Sequence, residues 1–351
     1  MKLSRNTYTI LLLCGFVMGA IWLRFEQSKF DWLASANTVS ASSVPKVCGY
    51  KSAAPAHYTH IIWILEENRS LSQVMNQANA PFISNLASQC AYSTKFSDNE
   101  PRQAFGAGYH SVVHYIADLS GSNCITGNAT TGSGCLAGNA NNPRLASLPT
   151  DSLIQQITSA GLTWKSYQES APSACSLSNY GAYVARHDGV LYFSQIRSAC
   201  QKDDVPIPTL RGHPSGALIS AIDSNSLPTF SYVTPNLYHD MHNGSVVSGD
   251  SWLRSYLLPI FHSPSYLNGK TAIFVVWDEA TKSSADLPNL IIAPTVRSGP
   301  NTIPMNGFTV LRTTEDMLGL PRLGCANGTP PGGVGSCYSG SSTNLRQALS
   351  I

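Results

Sequence analysis

The sequence has 351 residues, of which 43% are hydrophobic and only 12% are charged. This composition supports a folded core and excludes a disordered, highly charged protein. The 22 Lys and Arg residues nearly balance the 20 Asp and Glu residues, and no basic block is present, so nucleic-acid binding has no electrostatic support.

The first element in the chain is a leader with one long apolar run. Lys2 and Arg5 precede the apolar stretch Tyr8–Leu23, a pattern typical of a signal peptide or a short signal anchor. Ala34-Ser35-Ala36 resembles a cleavage site, but it lies far from the apolar run, so an uncleaved anchor stays open. The positive charges before the run direct the rest of the chain out of the cytoplasm. We therefore expect a secreted or anchored extracytoplasmic protein.

We divide the chain into three parts. Residues 1–36 form the leader, residues 37–57 form a polar tether rich in Ser and Ala, and residues 58–351 form one folded domain. No second apolar run of membrane-spanning length follows, which excludes a multi-span membrane protein. Contact with a membrane is expected only through the N-terminal segment, if it is not removed.

The number and spacing of the cysteines indicate an oxidising compartment. Nine cysteines are present, and eight remain beyond Cys14 in the leader. An even number in an exported chain predicts disulfides. Proximity favours Cys124–Cys135 and Cys325–Cys337, which leaves Cys48–Cys90 and Cys175–Cys200, although eight cysteines allow 105 pairings. A zinc cluster is the rival interpretation, but no CxxC pair supports it.

Apolar strands alternate with helices along the predicted domain. Strands are predicted at Tyr58–Leu65, Leu162–Tyr167, Thr229–Val233, Thr271–Trp277 and Leu290–Ile292. Helices are predicted at Pro81–Cys90, Asp151–Ala160 with Asp151 as N-cap, Asp250–Phe261 and Thr309–Leu318. This alternation predicts an α/β fold in which helices cover both faces of a parallel sheet.

Two acidic pairs follow two of these strands, at the sheet edge where parallel sheets carry their chemistry. Glu66-Glu67-Asn68 comes directly after the first strand, and Asp278-Glu279 follows Thr271–Trp277. Clustered oxygen ligands favour Mg²⁺, Ca²⁺ or Mn²⁺, and a neighbouring histidine would admit Zn²⁺ or Fe. The alternative is that these acids are solvated loop residues.

Two further segments carry candidate site residues. Ser111 follows His110 at the start of a predicted helix, where the helix dipole favours an anion, although an ordinary N-cap is the alternative. Asp240 and His242 flank one residue of a loop rich in Gly and Asn, and they can ligate a metal, hold a phosphate or be plain loop residues. No G-x-S-x-G elbow is present, which disfavours a Ser-His-Asp hydrolase.

These segments, in this order, resemble the phosphoesterase family of bacterial acid phosphatases and phospholipases C, within the alkaline-phosphatase-like superfamily. The matching motifs are Glu67-Asn68-Arg69-Ser70, Ser111…Tyr115…Ser120-Gly121-Ser122, Pro235-Asn236…Asp240-Met241-His242-Asn243-Gly244-Ser245, Gly249-Asp250-Ser251-Trp252-Leu253, Trp277-Asp278-Glu279 and Leu311–Pro321. The resemblance implies an alkaline-phosphatase-like three-layer sandwich with a mainly parallel central sheet. It also implies a metal-dependent phosphoric-ester hydrolase.

The resemblance assigns one divalent metal and one nucleophile. Glu67, Asn68, Asp278 and Glu279 would hold the ion, which could be Mg, Ca, Mn, Zn or Fe. Ser111 would attack the phosphorus atom beside it. The metal would polarise a phosphoryl oxygen, and the resulting phosphoserine would be hydrolysed by activated water.

The resemblance also assigns the residues that surround the phosphate. Asp240 and His242 would line the phosphate site, and His242 would protonate the leaving group or hold the phosphate. His187 falls where family members also carry a histidine. His110 and His114 flank the nucleophile. We assign these last three histidines to substrate binding.

The chain departs from the family pattern in several places. Around the nucleophile the family usually has His-Pro-Ser-x-Pro-Asn-Tyr, and this chain has Tyr109-His110-Ser111-Val112-Val113-His114-Tyr115. Gly307 stands where the family has a histidine before the last helix, and Ala280 follows the second acidic pair. These losses leave open a catalytically degenerate binding protein of the cell envelope.

The retained acids and serine favour an enzyme over a degenerate binding protein. We predict that its substrate is a small-molecule or lipid phosphate ester. Acid-phosphatase-like monoester cleavage is preferred to phospholipase-C-like diester cleavage, because the chain lacks an evident lipid-binding extension. A sulfatase or phosphonate-type hydrolase on the same architecture is a lesser alternative.

Overall fold

An eight-stranded sheet runs through the computed structural model, which describes residues 45–97, 110–122, 151–280, 286–329, 337 and 342–351. The strands are β1 His60–Glu66, β2 Ala91–Ser93, β3 Trp164–Glu169, β4 Asp204–Ile207, β5 Phe230–Thr234, β6 Thr271–Trp277, β7 Asn289–Ile292 and β8 Gly299–Asn301. Their order across the sheet is β4-β3-β5-β1-β6-β7-β2-β8. Strand β7 is antiparallel to β6 and β2, and the other pairings are parallel. The predicted α/β fold with a mainly parallel sheet is confirmed.

The two central strands are buried on both faces. Residues Ile61–Glu66 of β1 and all of β6 are inaccessible to solvent, so successive side chains on opposite faces are both covered. Continuous apolar runs such as these suit a strand that lies between two layers. Trp63 of β1 packs edge-on against Phe230 of β5, with ring centroids 5.3 Å apart.

Ten helices flank the sheet within the described ranges. They are α1 Leu71–Val74, α2 Pro81–Gln89, α3 His110–Ser120, α4 Leu153–Ser159, α5 Cys200–Asp203, α6 Ala217–Asp223, α7 Val246–His262, α8 Pro264–Leu267, α9 Gly307–Leu318 and α10 Leu345–Leu349. Short 3₁₀ turns occupy Ala185–His187, Gly189–Tyr192 and Gly324–Asn327. None of these described helices is long and apolar enough to cross a membrane.

Two helix starts differ from the sequence-based expectation. Helix α4 begins after Ser152, whose hydroxyl accepts a hydrogen bond from the Gln155 N–H, so Ser152 and not Asp151 is the N-cap. Helix α7 begins at Val246, earlier than the predicted Asp250, because the Ser245 hydroxyl caps it through the Ser248 N–H. In both cases the helix begins after the residue whose side chain accepts a hydrogen bond from a free backbone N–H.

Three disulfides match the predicted pairs. They are Cys48–Cys90, Cys175–Cys200 and Cys325–Cys337, and Cys124–Cys135 lies outside the described residues. Residues 1–44, which include the predicted leader, also lie outside them. Within the stretch assigned to a tether, Val47 and Cys48 are buried, and the Tyr266 hydroxyl donates to the Val47 carbonyl at 2.7 Å.

The parallel strands deliver their carboxyl ends to one edge of the sheet. Strand β1 pairs with β5 on one side and with β6 on the other, so the loops after these three strands are neighbours. The backbone N–H of Glu67 donates to the Asp240 carbonyl at 2.7 Å, and that of Asp278 donates to the Glu66 carbonyl at 3.1 Å. These bonds hold three acidic loops together.

Candidate active site

Glu67 lies at the centre of this edge, directly after β1, and it is fully buried. Its Oε2 atom accepts hydrogen bonds from Ser111 Oγ at 3.1 Å and from Asn68 Nδ2 at 2.9 Å. Its Oε1 atom accepts a hydrogen bond from the Tyr115 hydroxyl and lies 3.1 Å from His187 Nε2. One carboxylate therefore joins the β1 loop, helix α3 and the Ala185–His187 turn.

Helix α3 presents two hydroxyl groups to Glu67. Ser111 and Tyr115 are four residues apart, so they lie on the same face of the helix. Ser111 is in the first turn, where free backbone N–H groups form the positive end of the helix dipole. That end favours negative charge on the Ser111 oxygen and on a phosphate bound beside it.

Asp278 brings a second carboxylate to the same place from the end of β6. Its Oδ1 atom accepts hydrogen bonds from the backbone N–H groups of Asn68 at 3.3 Å and Glu279 at 2.6 Å. Its Oδ2 atom is buried and accepts no hydrogen bond from an N–H group or hydroxyl in the described part of the chain, and its carboxyl group contacts that of Glu67. Buried acceptors are rarely left unsatisfied, so this oxygen is a candidate ligand for a cation.

Asp240 orients two histidines from the loop after β5. Its Oδ2 atom lies 3.2 Å from His187 Nδ1, and its Oδ1 atom accepts the backbone N–H of His242 at 2.8 Å. A proton on His187 Nδ1 leaves the lone pair on Nε2, which lies on the Glu67 side of the ring. A carboxylate behind an imidazole in this way is typical of metal-binding histidines.

The loop that carries Asp240 and His242 packs closely against helix α7. Met241, between them, has a φ of 73°, a left-handed conformation that few side chains other than Asn or Gly adopt readily. Its side chain is buried against Gly249 of α7, where an added Cβ would lie 2.4 Å from Met241 Cε. A side chain at position 249 would therefore force the Met241 side chain to shift.

Glu67, His187 and His242 can each offer one ligand atom, and these atoms lie within 4.8 Å of one another. His242 Nδ1 lies 2.8 Å from Asn243 Oδ1, which leaves the lone pair on Nε2. The three residues come from the β1 loop, the Ala185–His187 turn and the β5 loop. A mixed set of carboxylate and imidazole ligands suits Zn²⁺, Mn²⁺ or Fe.

The pKa values at the site reflect buried acids without enough positive charge. Burial and the nearby Asp240 charge raise the pKa of Glu67 to about 8. Burial, followed by the Glu67 charge, raises the pKa of Asp278 well above its usual value. Burial also lowers the pKa of His187, which favours its neutral, ligating form. A cation at this place would reverse the cost of ionising the carboxyl groups.

The structure places most of the predicted site residues in one cluster. They are Glu67, Asn68, Ser111, His187, Asp240, His242 and Asp278. Glu279 lies close enough for its charge to raise the pKa of Glu67. His114 is buried on α3, one turn after Ser111, and the side chain of His110 lies outside the described residues.

The sequence analysis did not assign roles to three residues of this region. Tyr115 donates to Glu67, and Arg186 places its Nη2 atom 3.4 Å from His242 Nε2. Glu169, at the end of β3, binds His239 Nδ1 at 2.9 Å. An acid at the end of a strand is the signal that identified Glu67, but the predicted strand ended at Tyr167, so Glu169 was not recognised as such a residue.

Comparisons with known proteins are consistent with this geometry. Residues 103–281 match the family model described as the Phosphoesterase family. A phosphatidylinositol-3-phosphatase of Mycobacterium tuberculosis is 30% identical over 295 residues, which cover 82% of this chain and 86% of that protein. A probable acid phosphatase of Kluyveromyces lactis is 20% identical over 204 residues, covering 54% of this chain and 47% of that protein.

Solved structures share the fold at low sequence identity. A protein in the alkaline phosphatase superfamily from Vibrio parahaemolyticus has a TM-score of 0.51 at 12% identity, covering 84% of this chain and 75% of that one. The lipoteichoic acid synthase LtaP from Listeria monocytogenes has a TM-score of 0.50 at 10% identity, covering 83% and 78%. The predicted alkaline-phosphatase-like fold is confirmed.

Proposed function

This chain belongs to the Phosphoesterase family and is a hydrolase of phosphate esters, and on that premise we propose that it is an exported, metal-dependent phosphatase with Ser111 as its nucleophile. The observation that carries the proposal is the hydrogen bond from Ser111 Oγ to Glu67 Oε2 at 3.1 Å. It connects the only predicted nucleophile to the carboxylate on which the two histidines converge.

The residues around Glu67 fit a divalent cation. Asp278 supplies a buried oxygen that accepts no hydrogen bond from an N–H group or hydroxyl among the described residues, and His187 and His242 supply imidazole nitrogens. The set predicted from sequence, with Asn68 and Glu279, overlaps this one at Glu67 and Asp278. When bound, a divalent ion at such a site polarises a phosphoryl oxygen and lowers the pKa of a neighbouring hydroxyl.

The residues of the site have separate roles in phosphoryl transfer. Ser111 Oγ forms the new bond to phosphorus while its proton passes toward Glu67 Oε2, to which it already donates. The bond from phosphorus to the ester oxygen breaks, and the leaving alkoxide takes its proton from water, because Nδ1 of the half-buried His242 faces Asn243 and its Nε2 atom is a candidate ligand of the cation. Water then hydrolyses the phosphoserine, releases phosphate and restores Ser111.

The relatives suggest the class of substrate. One is named a phosphatidylinositol-3-phosphatase and another a probable acid phosphatase. We therefore propose a phosphate monoester, either a small molecule or a lipid headgroup, as the substrate. The three described disulfides support export, because such bonds persist in oxidising compartments.

The test is an activity assay on the full chain after treatment with a chelator. Hydrolysis of p-nitrophenyl phosphate and of its bis-ester is measured between about pH 4 and pH 9 with Mg²⁺, Ca²⁺, Mn²⁺ or Zn²⁺ added back. We expect metal-dependent hydrolysis, faster for the monoester. Activity that the chelator leaves unchanged would contradict the metal, and no turnover of either ester would support the degenerate binding protein.

A further inference from the structure

Arg186 is a cationic residue at the edge of the site, close enough to Asp240 for their charges to interact. It lies in the Ala185–His187 turn, next to His187, and is half-buried. In the described part of the chain, no carboxylate lies within ion-pair distance of its guanidinium group. Its one hydrogen-bond contact there joins Nη2 to His242 Nε2 at 3.4 Å.

Arg69, the other arginine close to His242, is bound differently. Its Nη1 atom donates to the Asn68 carbonyl at 3.0 Å, and its Nη2 atom donates to the Gly244 carbonyl at 2.8 Å. These bonds hold the loops after β1 and β5 together. Two backbone carbonyls from different loops fix Arg69 as a structural connection, whereas only one of the five N–H groups of Arg186 has a partner among the described residues.

The contact between Arg186 and His242 involves the nitrogen that can also bind a cation. His242 Nδ1 faces Asn243 Oδ1, so Nε2 carries the lone pair to which Arg186 donates. Occupation of Nε2 by a cation would release this donor. The guanidinium would then lie beside the reacting centre with no protein acceptor among the described residues.

Resting on the proposed function, we propose that Arg186 binds the phosphoryl oxygens that distinguish a phosphate monoester from a diester, and so determines the preference for monoesters. A monoester dianion has three non-bridging oxygens and two negative charges, whereas a diester has two such oxygens and one charge. The planar guanidinium fork matches two phosphate oxygens at once. Arg186 precedes His187 in the chain and its Nη2 atom lies 3.4 Å from His242 Nε2, which places its charge within the site.

The first test compares the two esters in variants of the full chain. We expect Arg186→Gln to lower kcat/KM for p-nitrophenyl phosphate about 10- to 100-fold and to change that for the bis-ester by less than about threefold. Arg186→Lys should recover part of the monoester activity. The control is Arg297→Gln, an exposed arginine after β7, which should change neither value more than about threefold.

A merely structural role for Arg186 would change both esters equally. Equal losses on the two substrates, or monoester activity within about threefold of wild type, would therefore overturn the proposal. Thermal denaturation of each variant shows whether the fold is retained. A wild-type chain that hydrolyses neither ester would refute the proposed function instead.

A binding measurement tests Arg186 independently of turnover. Inorganic phosphate is titrated by calorimetry into the wild-type, Arg186→Gln and Arg297→Gln proteins, each in the presence of the divalent ions used above. We expect about tenfold weaker binding for Arg186→Gln alone. Equal affinity for phosphate in all three proteins, or no binding to the wild type, would overturn the assignment.

Discussion

Two buried carboxylates at the same edge of the sheet have opposite surroundings. Glu169 accepts hydrogen bonds from the backbone N–H groups of Leu210 at 2.7 Å and Asn236 at 2.9 Å, and binds His239 Nδ1 at 2.9 Å. Glu67 also has donors, but burial and then the negative charge of Asp240 raise its pKa to about 8. Both acids lie at the carboxyl end of a strand in the parallel part of the sheet, so the difference comes from their partners.

These different surroundings indicate that Glu169 has a structural role and that the region around Glu67 is a candidate binding site. Donors surround the Glu169 carboxylate, and it holds three loops in place. The Glu67 region brings carboxyl groups together and leaves the buried Asp278 Oδ2 without an N–H or hydroxyl donor in the described chain. Burying like charges side by side destabilises the folded protein. Such destabilising clusters are typical of sites that bind a cation or perform catalysis. Four variants test this comparison.

The largest effect is expected for Ser111→Ala. Removing the hydroxyl that donates to Glu67 should lower turnover of phosphate esters by about 10³-fold or more, with the fold intact, because the nucleophile is lost. Steady-state kinetics and circular dichroism measure the two properties. The matched control is Ser120→Ala at the other end of α3, whose hydroxyl donates to the Ile116 carbonyl and accepts the Ser122 N–H. Near-normal activity of Ser111→Ala would show that the nucleophile is another group.

Asp278→Asn should change activity and stability in opposite directions. Removing one of the crowded charges should lower activity and metal affinity by about 10²-fold or more, while raising the melting temperature of the chelator-treated protein. Thermal denaturation with and without added metal measures both. Asp223→Asn, on the exposed face of α6, is the control and should change little. A lower melting temperature for metal-free Asp278→Asn would mean that its charge stabilises the fold.

Glu169→Gln should have the opposite effect on stability. The glutamine amide places an NH2 group where the Glu169 carboxylate accepts hydrogen bonds from three donors, and a donor cannot pair with another donor. We therefore expect a loss of about 2 kcal/mol in the free energy of unfolding. Urea denaturation measures this change, and activity should fall less than in Asp278→Asn. Unchanged or increased stability would place Glu169 with the crowded acids.

Glu315 of α9, whose replacement should change activity least, lies between the two extremes in its surroundings. Its Oε1 atom accepts the Leu323 N–H at 2.8 Å, and its Oε2 atom is buried without a partner in the described chain. Burial raises its pKa from 4.5 to about 8. The folded state thus keeps a proton that the unfolded chain loses, so this group's contribution to stability is lost as the pH rises from about 4.5 to 8.

Glu315→Gln should remove this pH dependence, because glutamine stays neutral and retains the oxygen that accepts the Leu323 N–H. We expect the variant to gain stability relative to wild type as the pH rises from about 5 to 8.5, by at most about 1.4 kcal/mol for each unit by which folding raises the pKa of Glu315. Urea denaturation at the two pH values measures it. Parallel stability profiles for the two proteins would show that Glu315 is ionised in the folded state.

The sequence best predicts the strands that are buried on both faces of the sheet. The apolar runs of β1 and β6 appear in the structure almost as predicted, because a strand covered on both faces must be apolar throughout. The three-residue strands β2 and β8 were not predicted. Strand β8 is Gly-Pro-Asn, which has low intrinsic strand propensity and is extended through its pairing with β2.

The residues of the candidate site also differ in how far the sequence alone predicts their positions. The position of Glu67 and Asp278 directly after apolar strands is a local property, so the sequence alone indicated that both acids lie at one sheet edge. The pairing of His187 with Asp240, the contact of Arg186 with His242 and the three donors around Glu169 join distant parts of the chain. Only the tertiary structure decided these contacts, because local patterns determine which face of an element is buried but not which side chain from another loop meets it there.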